Sequence, residues 1–284
     1  MPSDTFADLD LNRSISDLGG KGAFSKEIQQ VVLAGHANIA VHSAKDLQAF
    51  TPPGLVIAAY PTRGDARDAL VGITLEQLTD RCSRFIDDPA GSQAGHVPPT
   101  VASGSNRRRA LLLDRCPQVS FTELRGNIAT RLGRLESTNG GSPVDGLIMA
   151  SAALKRLGLS PAVVDHLDPL WYVPQVGQGA LAVEANVEDH RIRALVKAID
   201  DPVTRLAVEA ERSFLAELGG DCNLPAGANA TVDIVDRRIE ISIAGVLAGD
   251  GYRNLQRSME SGPVEADPGR ILAGNLRKAL EAEV

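Results

Sequence analysis

The chain has 284 residues, 43% hydrophobic and 23% charged, a composition typical of a folded globular protein with two or three domains. Its formal net charge of -7 argues against nucleic acid as the main partner. No apolar run reaches membrane-helix length, and the acidic segment Met1–Leu11 lacks the apolar core of a signal peptide. Cys82, Cys116 and Cys222 have neither disulfide nor metal-site spacing, which favours a reducing cytosol.

Helical and strand-like patterns alternate through the first half of the chain. Apolar spacing and capping residues predict helices at 22–34, 106–115, 127–137 and 152–157. Short apolar runs predict strands at 37–42, 54–60, 68–71, 100–103, 120–124 and 146–149. This alternation predicts an α/β architecture with a mostly parallel sheet and helices on its faces.

The C-terminal third has a different pattern. A long amphipathic helix is predicted at 202–218, followed by a hairpin of strands 230–235 and 238–246 that turns at Asp236-Arg237. A third strand at 252–259 and a closing helix at 269–282 complete what we expect to be a small α+β unit.

Three polar loops follow predicted strands: His42–Asp46, Ser103–Ser105 and Arg125–Asn127. Ligands collect at the carboxyl ends of strands in α/β folds, beside helix N-termini. These loops are therefore candidate parts of one site. Lys45-Asp46 taken alone is a weak signal, because exposed pairs of this kind stabilise little.

Arginines are concentrated between residues 107 and 134. A guanidinium stays charged and matches a carboxylate bidentately, so the cluster predicts a polyanionic small molecule. The alternative is a solvated helix face. Arg107 and Arg108 stand in a helix first turn, where a cation opposes the helix dipole, so we expect an anion nearby. We favour a binding role for Arg107, Arg108, Arg125 and Arg131, and a solvated face for Arg109 and Arg134.

Two further segments leave alternatives open. Cys222 stands in a glycine- and proline-flanked loop, where a thiol is either a nucleophile or attachment point or, as spacing alone favours, idle. Pro174–Ala180 joins two apolar strands, and its two glycines mark either an interdomain hinge or a tight turn.

Taken together, these segments resemble the hydroxymethylbilane synthase (porphobilinogen deaminase) family. They occur in family order with family-like spacing from about Asp17 onward, and HSAKDL and LRGNIATRL are specific to it. The matching segments are Gly19–Phe24, Val41–Leu47, Ser105–Arg108, Leu124–Leu132, Val176–Ala180 and the Cys222 loop.

The resemblance implies two periplasmic-binding-protein-like α/β domains and a small C-terminal α+β domain. Domain 1 would comprise 1–62 and 176–200, domain 2 would comprise 66–173, and the cofactor-bearing domain 202–284. It implies a monomeric cytoplasmic transferase of haem biosynthesis that joins four porphobilinogens head to tail, with loss of ammonia. The expected partners are porphobilinogen and the growing polypyrrole chain, which is rich in acetate and propionate groups. Neither nucleic acid nor a membrane is expected as a partner.

Residue roles follow from the same resemblance. Cys222 would carry a dipyrromethane cofactor as a thioether. Asp46 would be the catalytic aspartate that contacts pyrrole N–H groups and stabilises an azafulvene-like cation. The expected carboxylate and cofactor binders are Lys45, Ser105, Arg107, Arg108, Arg125 and Arg131. Lys21 and Phe24 would belong to a mobile loop over the cleft.

Three departures from the family pattern bear on activity. The chain starts near the loop before Gly19, without the family's strand–helix–strand and its Arg-x-Ser motif, so we expect an incomplete domain 1 with an exposed sheet edge and weak activity. Asp221 replaces a glycine, and its carboxylate would raise the pKa of the Cys222 thiol. Ala102-Ser103-Gly104 replaces Gly-Thr-Ser.

Two other functions compete with the transferase. One is a non-catalytic, two-lobed anion-binding protein, which would need neither Asp46 nor Cys222. The other is a nucleic-acid-binding module, which the acidic balance disfavours.

Overall fold

The computed structural model describes residues 23–87, 97–123, 128–136, 144–220 and 224–282. Its helices are α1 (Ala23–Leu33), α2 (Leu75–Asp87), α3 (Asn106–Arg115), α4 (Ile128–Glu136), α5 (Ser151–Arg156), α6 (His190–Val196), α7 (Pro202–Glu217) and α8 (Pro268–Glu281). Its strands are β1 (Ile39–Ser43), β2 (Leu55–Ala59), β3 (Asp68–Val71), β4 (Thr100–Ala102), β5 (Ser120–Thr122), β6 (Gly146–Ala150), β7 (Val164–His166), β8 (Leu181–Asn186), β9 (Ala226–Val235), β10 (Arg238–Leu247) and β11 (Gln256–Pro263).

The described strands form three sheets, which give the protein a mixed α/β fold. The first has the order β1-β8-β2, the second β5-β4-β6-β3-β7, and the third β11-β10-β9. β1 is an edge strand of the first sheet as described, and its Ile39 and Val41 are exposed. None of the helices described has the length and apolar character needed to cross a lipid bilayer.

The prediction of a mostly parallel sheet is wrong for the first sheet and half right for the second. β8 runs antiparallel to both of its neighbours, β1 and β2. In the second sheet β4 is parallel to β5 and β6, while β3 is antiparallel to β6 and β7. Parallel neighbours need a crossover, usually a helix. β3 and β8 follow the helix-free connections 60–67 and 167–180, so the alternation of patterns does not set their direction.

The second sheet carries helices on both faces, as predicted. Successive β3 residues point to opposite faces: Leu70 packs in one apolar cluster, whereas Ala69 and Val71 pack in another. The first cluster includes residues of α2 and α3, and the second includes residues of α4 and α5. This two-sided cover explains why the second sheet's strands are short apolar runs rather than alternating patterns.

Several segment predictions need correction. α2, β7 and α6 were missed; β7 and α6 are short, whereas α2 has Leu75, Leu78 and Cys82 at the spacing of an amphipathic helix and could have been predicted. The third C-terminal strand begins at Gln256 rather than 252, because Asp250–Tyr252 forms a 3-10 turn. No strand precedes Pro174 directly; Tyr172 closes a turn by donating its backbone N–H to Asp168.

The C-terminal sheet packs on α7 and α8. Phe214 of α7 and Leu272 of α8 are fully buried in this cluster, beside Ile243 of β10. Gly245 of β10 is required at this contact, since a Cβ there would lie 2.7 Å from Leu272 Cδ2. The hairpin and the closing helix thus form the predicted α+β unit. The domain boundaries given above stay a prediction.

Candidate active site

Lys45 and Asp46 lie where β1 ends, in the 3-10 helix Ala44–Asp46. Two hydrogen bonds hold this turn: Ser25 Oγ donates to the Asp46 carbonyl at 3.0 Å, and Gln175 Nε2 donates to the Lys45 carbonyl at 3.1 Å. The Asp46 side chain is exposed and Lys45 is partly buried. The backbone of the predicted catalytic residue is therefore fixed from two sides while its carboxylate remains open to solvent.

The Pro174–Ala180 loop packs directly against this turn. Gly177 has a φ of 71°, and a Cβ at this position would lie 3.0 Å from the Lys45 backbone nitrogen. Gly179 has a φ of 84°, and a Cβ there would lie 2.7 Å from the Gly64 carbonyl oxygen. Both glycines are needed because the backbone adopts a positive φ and approaches other backbone closely. The alternatives for this loop were an interdomain hinge and a tight turn. The geometry favours a tight turn, which packs between the Lys45 turn and the segment that contains Gly64.

Gln178, between these glycines, links Lys45 to the second sheet. Its buried side-chain amide donates to the Ala66 carbonyl at 2.8 Å and to Asp68 Oδ1 at 3.1 Å. Its Oε1 accepts a hydrogen bond from Lys45 Nζ at 3.4 Å. One neutral side chain thus connects a cation of the first sheet with an anion of the second.

Asp68 is the anion expected near the start of α3, and it belongs to the chain itself. This first residue of β3 is fully buried and receives Arg107 Nη2 at 2.8 Å on Oδ2. Arg108 donates to Oδ1 from Nε at 3.0 Å and from Nη2 at 2.7 Å. Burial alone would raise the pKa of Asp68, but Arg107 and Arg108 hold it at about 2.

Arg107 is enclosed by the protein and is only 3% exposed. Its Nη1 donates to the Val173 carbonyl at 2.6 Å, and its guanidinium lies 5.9 Å from the centroid of the Tyr172 ring. A Cβ at Gly227 of β9 would lie 2.7 Å from Arg107 Cδ, so the C-terminal sheet covers its stem. Arg107 therefore contributes charge and anchorage, and its predicted direct contact with cofactor stays a prediction.

Arg108, Lys45 and Arg131 bring further positive charge to the same region. Arg108 is 12% exposed at its side chain and donates Nη1 to the Ile148 carbonyl at 3.0 Å. Burial, reinforced by the charge of Arg108, lowers the pKa of Lys45 to about 8. Burial and then Arg108 also lower the pKa of Arg131. The charge of Arg108 thus acts on both Lys45 and Arg131, which indicates an electropositive region.

Ser105 is the N-cap residue of α3, but its side chain makes no capping hydrogen bond. Its backbone N–H donates to Ser103 Oγ at 3.3 Å. Arg109 is less solvated than predicted: its side chain is 18% exposed, pairs with Glu123 at 2.6 Å and donates Nε to the Ser103 carbonyl at 2.8 Å. Ser105 is thus placed beside Arg107 and Arg108 with a hydroxyl that the helix end does not use.

Several predicted site residues lie outside what the structure describes. Lys21, Arg125, Cys222 and the side chains of Phe24 and Arg134 are among them. The described residues that flank Cys222 lie near the Lys45 turn. Leu224 lines a small cavity together with Lys45 and Leu47, and a Cβ at Gly220 would lie 3.4 Å from Ala49 Cβ.

Sequence reasoning missed Asp68, Gln178, Arg63 and Glu211. Glu211 of α7 is fully buried; its Oε1 accepts Arg63 Nη1 at 2.6 Å and the Ala230 N–H at 2.9 Å. Its Oε2 accepts the Gly177 N–H at 2.7 Å. One sign was available: Asp68 begins the apolar strand that continues to Val71, and Glu211 is on the helix face that carries Ala207, Phe214 and Leu215. An unpaired charge is costly at both positions.

Two family profiles match the chain in succession. Residues 1–194 match the profile described as "Porphobilinogen deaminase, dipyromethane cofactor binding domain". Residues 205–277 match the profile described as "Porphobilinogen deaminase, C-terminal domain". Together they cover nearly the whole chain.

Relatives named porphobilinogen deaminase align with most of the chain. The protein of Roseiflexus sp. (strain RS-1) is 38% identical over 263 residues, covering 92% of this chain and 80% of the relative. That of Roseiflexus castenholzii is 37% identical over 278 residues, covering 97% and 84%. That of Nitrobacter hamburgensis is 37% identical over 263 residues, covering 92% and 76%.

Proposed function

Because the chain belongs to the porphobilinogen deaminase family, we infer that it is the transferase that joins four porphobilinogens head to tail in tetrapyrrole biosynthesis. Each condensation forms a bond from the aminomethyl carbon of one porphobilinogen to the free α-carbon of the preceding pyrrole. The amino group of that porphobilinogen leaves as ammonia when its C–N bond breaks, and the α-carbon loses a proton. The observation that carries this function in the structure is the convergence of Lys45, Arg108 and Arg131 beside the exposed Asp46.

The residues present fit a dipyrromethane cofactor. Its pyrroles carry acetate and propionate groups, and the described site offers lysine and arginine donors close together. When bound, the cofactor supplies the free pyrrole α-carbon to which the first substrate is joined. Cys222 is the attachment residue in this proposal, and its neighbour Leu224 lines the same cavity as Lys45.

Lys45, Ser105, Arg108, Arg125 and Arg131 bind carboxylates of cofactor and substrate in this proposal. Arg108 suits the task because it keeps two of its five N–H groups after donating three to Asp68 and Ile148. Lys45 acts as a compact point charge, which is strongest below its lowered pKa. Arg107 adds positive charge from its buried position.

Asp46 is the catalytic residue in this proposal. Its carboxylate accepts hydrogen bonds from pyrrole N–H groups and stabilises the positive charge that develops on the substrate as ammonia leaves. The side chains of Ser25 and Gln175 donate hydrogen bonds to backbone carbonyls of the turn that carries Asp46. Because these bonds fix the turn, little reorganisation accompanies the reaction. Lys21 and Phe24, which precede and begin α1, belong to the loop that covers the cleft in this proposal.

We also propose the finer organisation implied by the family. The β1-β8-β2 and five-stranded units correspond to two binding-protein-like halves, within 1–62 with 176–200 and within 66–173, and 202–284 forms the third domain. The protein acts as a monomer in the cytoplasm. The spacing of its three cysteines, which is not typical of disulfides, supports this location. A non-catalytic anion-binding function is not favoured, because both family profiles and all three relatives bear the enzyme's name.

The decisive experiment is the intact mass of the purified protein together with product formation from porphobilinogen. We expect a covalent adduct of two pyrroles on the wild-type protein and on a Cys82→Ala control. We expect neither adduct nor activity in Cys222→Ser, which remains folded because only one loop atom changes. Retention of the adduct in Cys222→Ser would refute the attachment residue, and a wild-type protein with neither adduct nor product would refute the proposed function.

A further inference from the structure

The carboxylate of Asp68 is held by three side chains of the protein. Its two oxygens accept four hydrogen bonds, one from Arg107, two from Arg108 and one from Gln178. Three of these bonds are to Oδ1 and one is to Oδ2, and all four donors belong to the protein. Together with full burial and a pKa of about 2, this excludes Asp68 as a group that exchanges protons during turnover.

We propose that Asp68 is a positioning residue of the active site, which holds Arg108 against the cleft and tethers Lys45 through Gln178. This inference rests on the proposed function, since positioning matters only if the cleft binds a polyanion. Asp68 does not touch substrate in this proposal. It acts through Arg108 and Lys45, whose donors do.

Asp68 determines the orientation of the Arg108 guanidinium. Arg108 is attached at three of its five N–H groups, two of them to Asp68 Oδ1 and the third to the Ile148 carbonyl. These bonds fix the plane of the guanidinium and leave two N–H groups for a carboxylate. Without Asp68, a long side chain in a region of like charge would lose this orientation and the affinity that depends on it.

The negative charge of Asp68 also acts on the protonation of Lys45. Lys45 faces Arg108, Asp46, Asp68 and Arg107, and its pKa depends on all four. Burial and the two arginines lower that pKa, whereas Asp46 and Asp68 raise it. Asp68 therefore helps Lys45 to stay protonated near neutral pH. Loss of the Asp68 charge would lower the Lys45 pKa further, so the ammonium would be lost at a lower pH.

A purely structural ion pair makes a different prediction. If Asp68 only stabilised the fold, its replacement would lower the free energy of unfolding and leave the titration of Lys45 unchanged. The matched control is Asp200→Asn. Like Asp68, Asp200 is paired with an arginine, Arg205, at 2.8 Å, and in addition it accepts the backbone N–H of Tyr60. Asp200 lies outside the cationic cluster of Lys45, Arg107, Arg108 and Arg131.

The first measurement is the NMR titration of the Lys45 ammonium in wild type, Asp68→Asn and Asp200→Asn, with Lys45→Met to assign the signal. We expect a midpoint near 8 in wild type and in Asp200→Asn, and a lower midpoint in Asp68→Asn. This readout requires neither cofactor nor turnover, so it tests the inference even if the proposed function fails. An unshifted midpoint in folded Asp68→Asn would overturn the proposed effect of Asp68 on Lys45.

The second measurement is KM and kcat for porphobilinogen from about pH 6 to about pH 9.5. This range spans the Lys45 pKa of about 8 on both sides. We expect KM to rise about tenfold to a hundredfold in Asp68→Asn, the effect of misplacing one or two charged hydrogen bonds. The alkaline loss of kcat/KM should also move to lower pH. A wild-type KM, or the same changes in Asp200→Asn, would overturn the inference.

A second variant keeps the test open if Asp68→Asn fails to fold. Gln178→Met preserves every charge and removes the amide bridge between Lys45 and Asp68, together with one hydrogen bond to the Ala66 carbonyl. We expect a folded protein with a raised KM and an alkaline limb close to that of wild type. A wild-type KM in Gln178→Met would overturn the tether. Absence of activity in the wild type would count against the proposed function instead.

Discussion

Glu211→Ala removes the carboxylate at the junction of three segments, and we expect it to be strongly destabilising. The fully buried side chain accepts Arg63 Nη1 at 2.6 Å, Arg63 Nη2 at 3.1 Å and the backbone N–H groups of Gly177 and Ala230. Truncation leaves the Arg63 charge, only 13% exposed, without its counter-ion and leaves two backbone donors unpaired.

The magnitude follows from these losses. Breaking a buried ion pair by removing one partner costs about 3–5 kcal/mol. Each unpaired backbone N–H would add about 1–3 kcal/mol if it stayed dry. These costs overlap, because water can enter the space left by the side chain and reach all three groups. We therefore expect the free energy of unfolding to fall by about 4 kcal/mol.

The assay is urea unfolding, followed both by circular dichroism and by the fluorescence of the single tryptophan, Trp171. Agreement of the two probes would establish two-state unfolding, and disagreement would show separate loss of the C-terminal unit. The control is Glu209→Ala on the same helix, whose 52% exposed side chain pairs with Arg205 and should contribute less than ~0.5 kcal/mol.

A double variant separates the ion pair from the rest of the junction. Arg63→Met combined with Glu211→Ala should cost less than the sum of the single changes, because no buried charge is left alone. If Glu211→Ala were as stable as Glu209→Ala, or if the two sites were additive, the junction would not depend on this pair.

Two further predictions concern the proposed chemistry. Asp46→Ala should still bind porphobilinogen but turn it over at least ~10²-fold more slowly, because an electrostatic or acid–base group is lost; a near-normal single-turnover rate would count against that role. Arg131→Leu should lose roughly 2–5 kcal/mol of cofactor or substrate interaction, as expected for one partner of a desolvated charge pair. Calorimetric binding and cofactor mass measure this loss against Arg270→Leu, which changes a side chain that is 62% exposed and should load and bind normally.

The sequence predicts the local elements well where period and length agree. β3 and α3 have the predicted bounds, 68–71 and 106–115, because a short apolar run and a capped helical stretch leave little ambiguity. Strand direction was not predictable in the same way. It depends on whether a connection carries a helix, and the connection 167–180 is long and apolar without containing one.

The candidate site was predicted as a set of cations, but its internal order was not. Arg107, Arg108 and Arg131 were predicted as binders because arginines are concentrated in this segment, whereas Lys45 was predicted from the family resemblance. The groups that arrange them are Asp68 and Gln178, which stand in apolar or glycine-rich surroundings and resemble ordinary strand and loop residues. Their role arises from contacts between residues that are far apart in the chain: Asp68 is 40 positions from Arg108 and 110 from Gln178.

The expectation of an anion near the start of α3 shows how far such reasoning extends. The rule that a cation opposes the helix dipole in a first turn correctly demanded a negative partner for Arg107 and Arg108. It could not distinguish a bound ligand from a buried aspartate, because both satisfy the same electrostatic requirement. The structure supplies Asp68, which is paired with both arginines and is linked to Lys45 through Gln178. The buried aspartate explains why these cations are grouped, and in our proposal the acetate and propionate groups of the substrate then bind to the same cationic region.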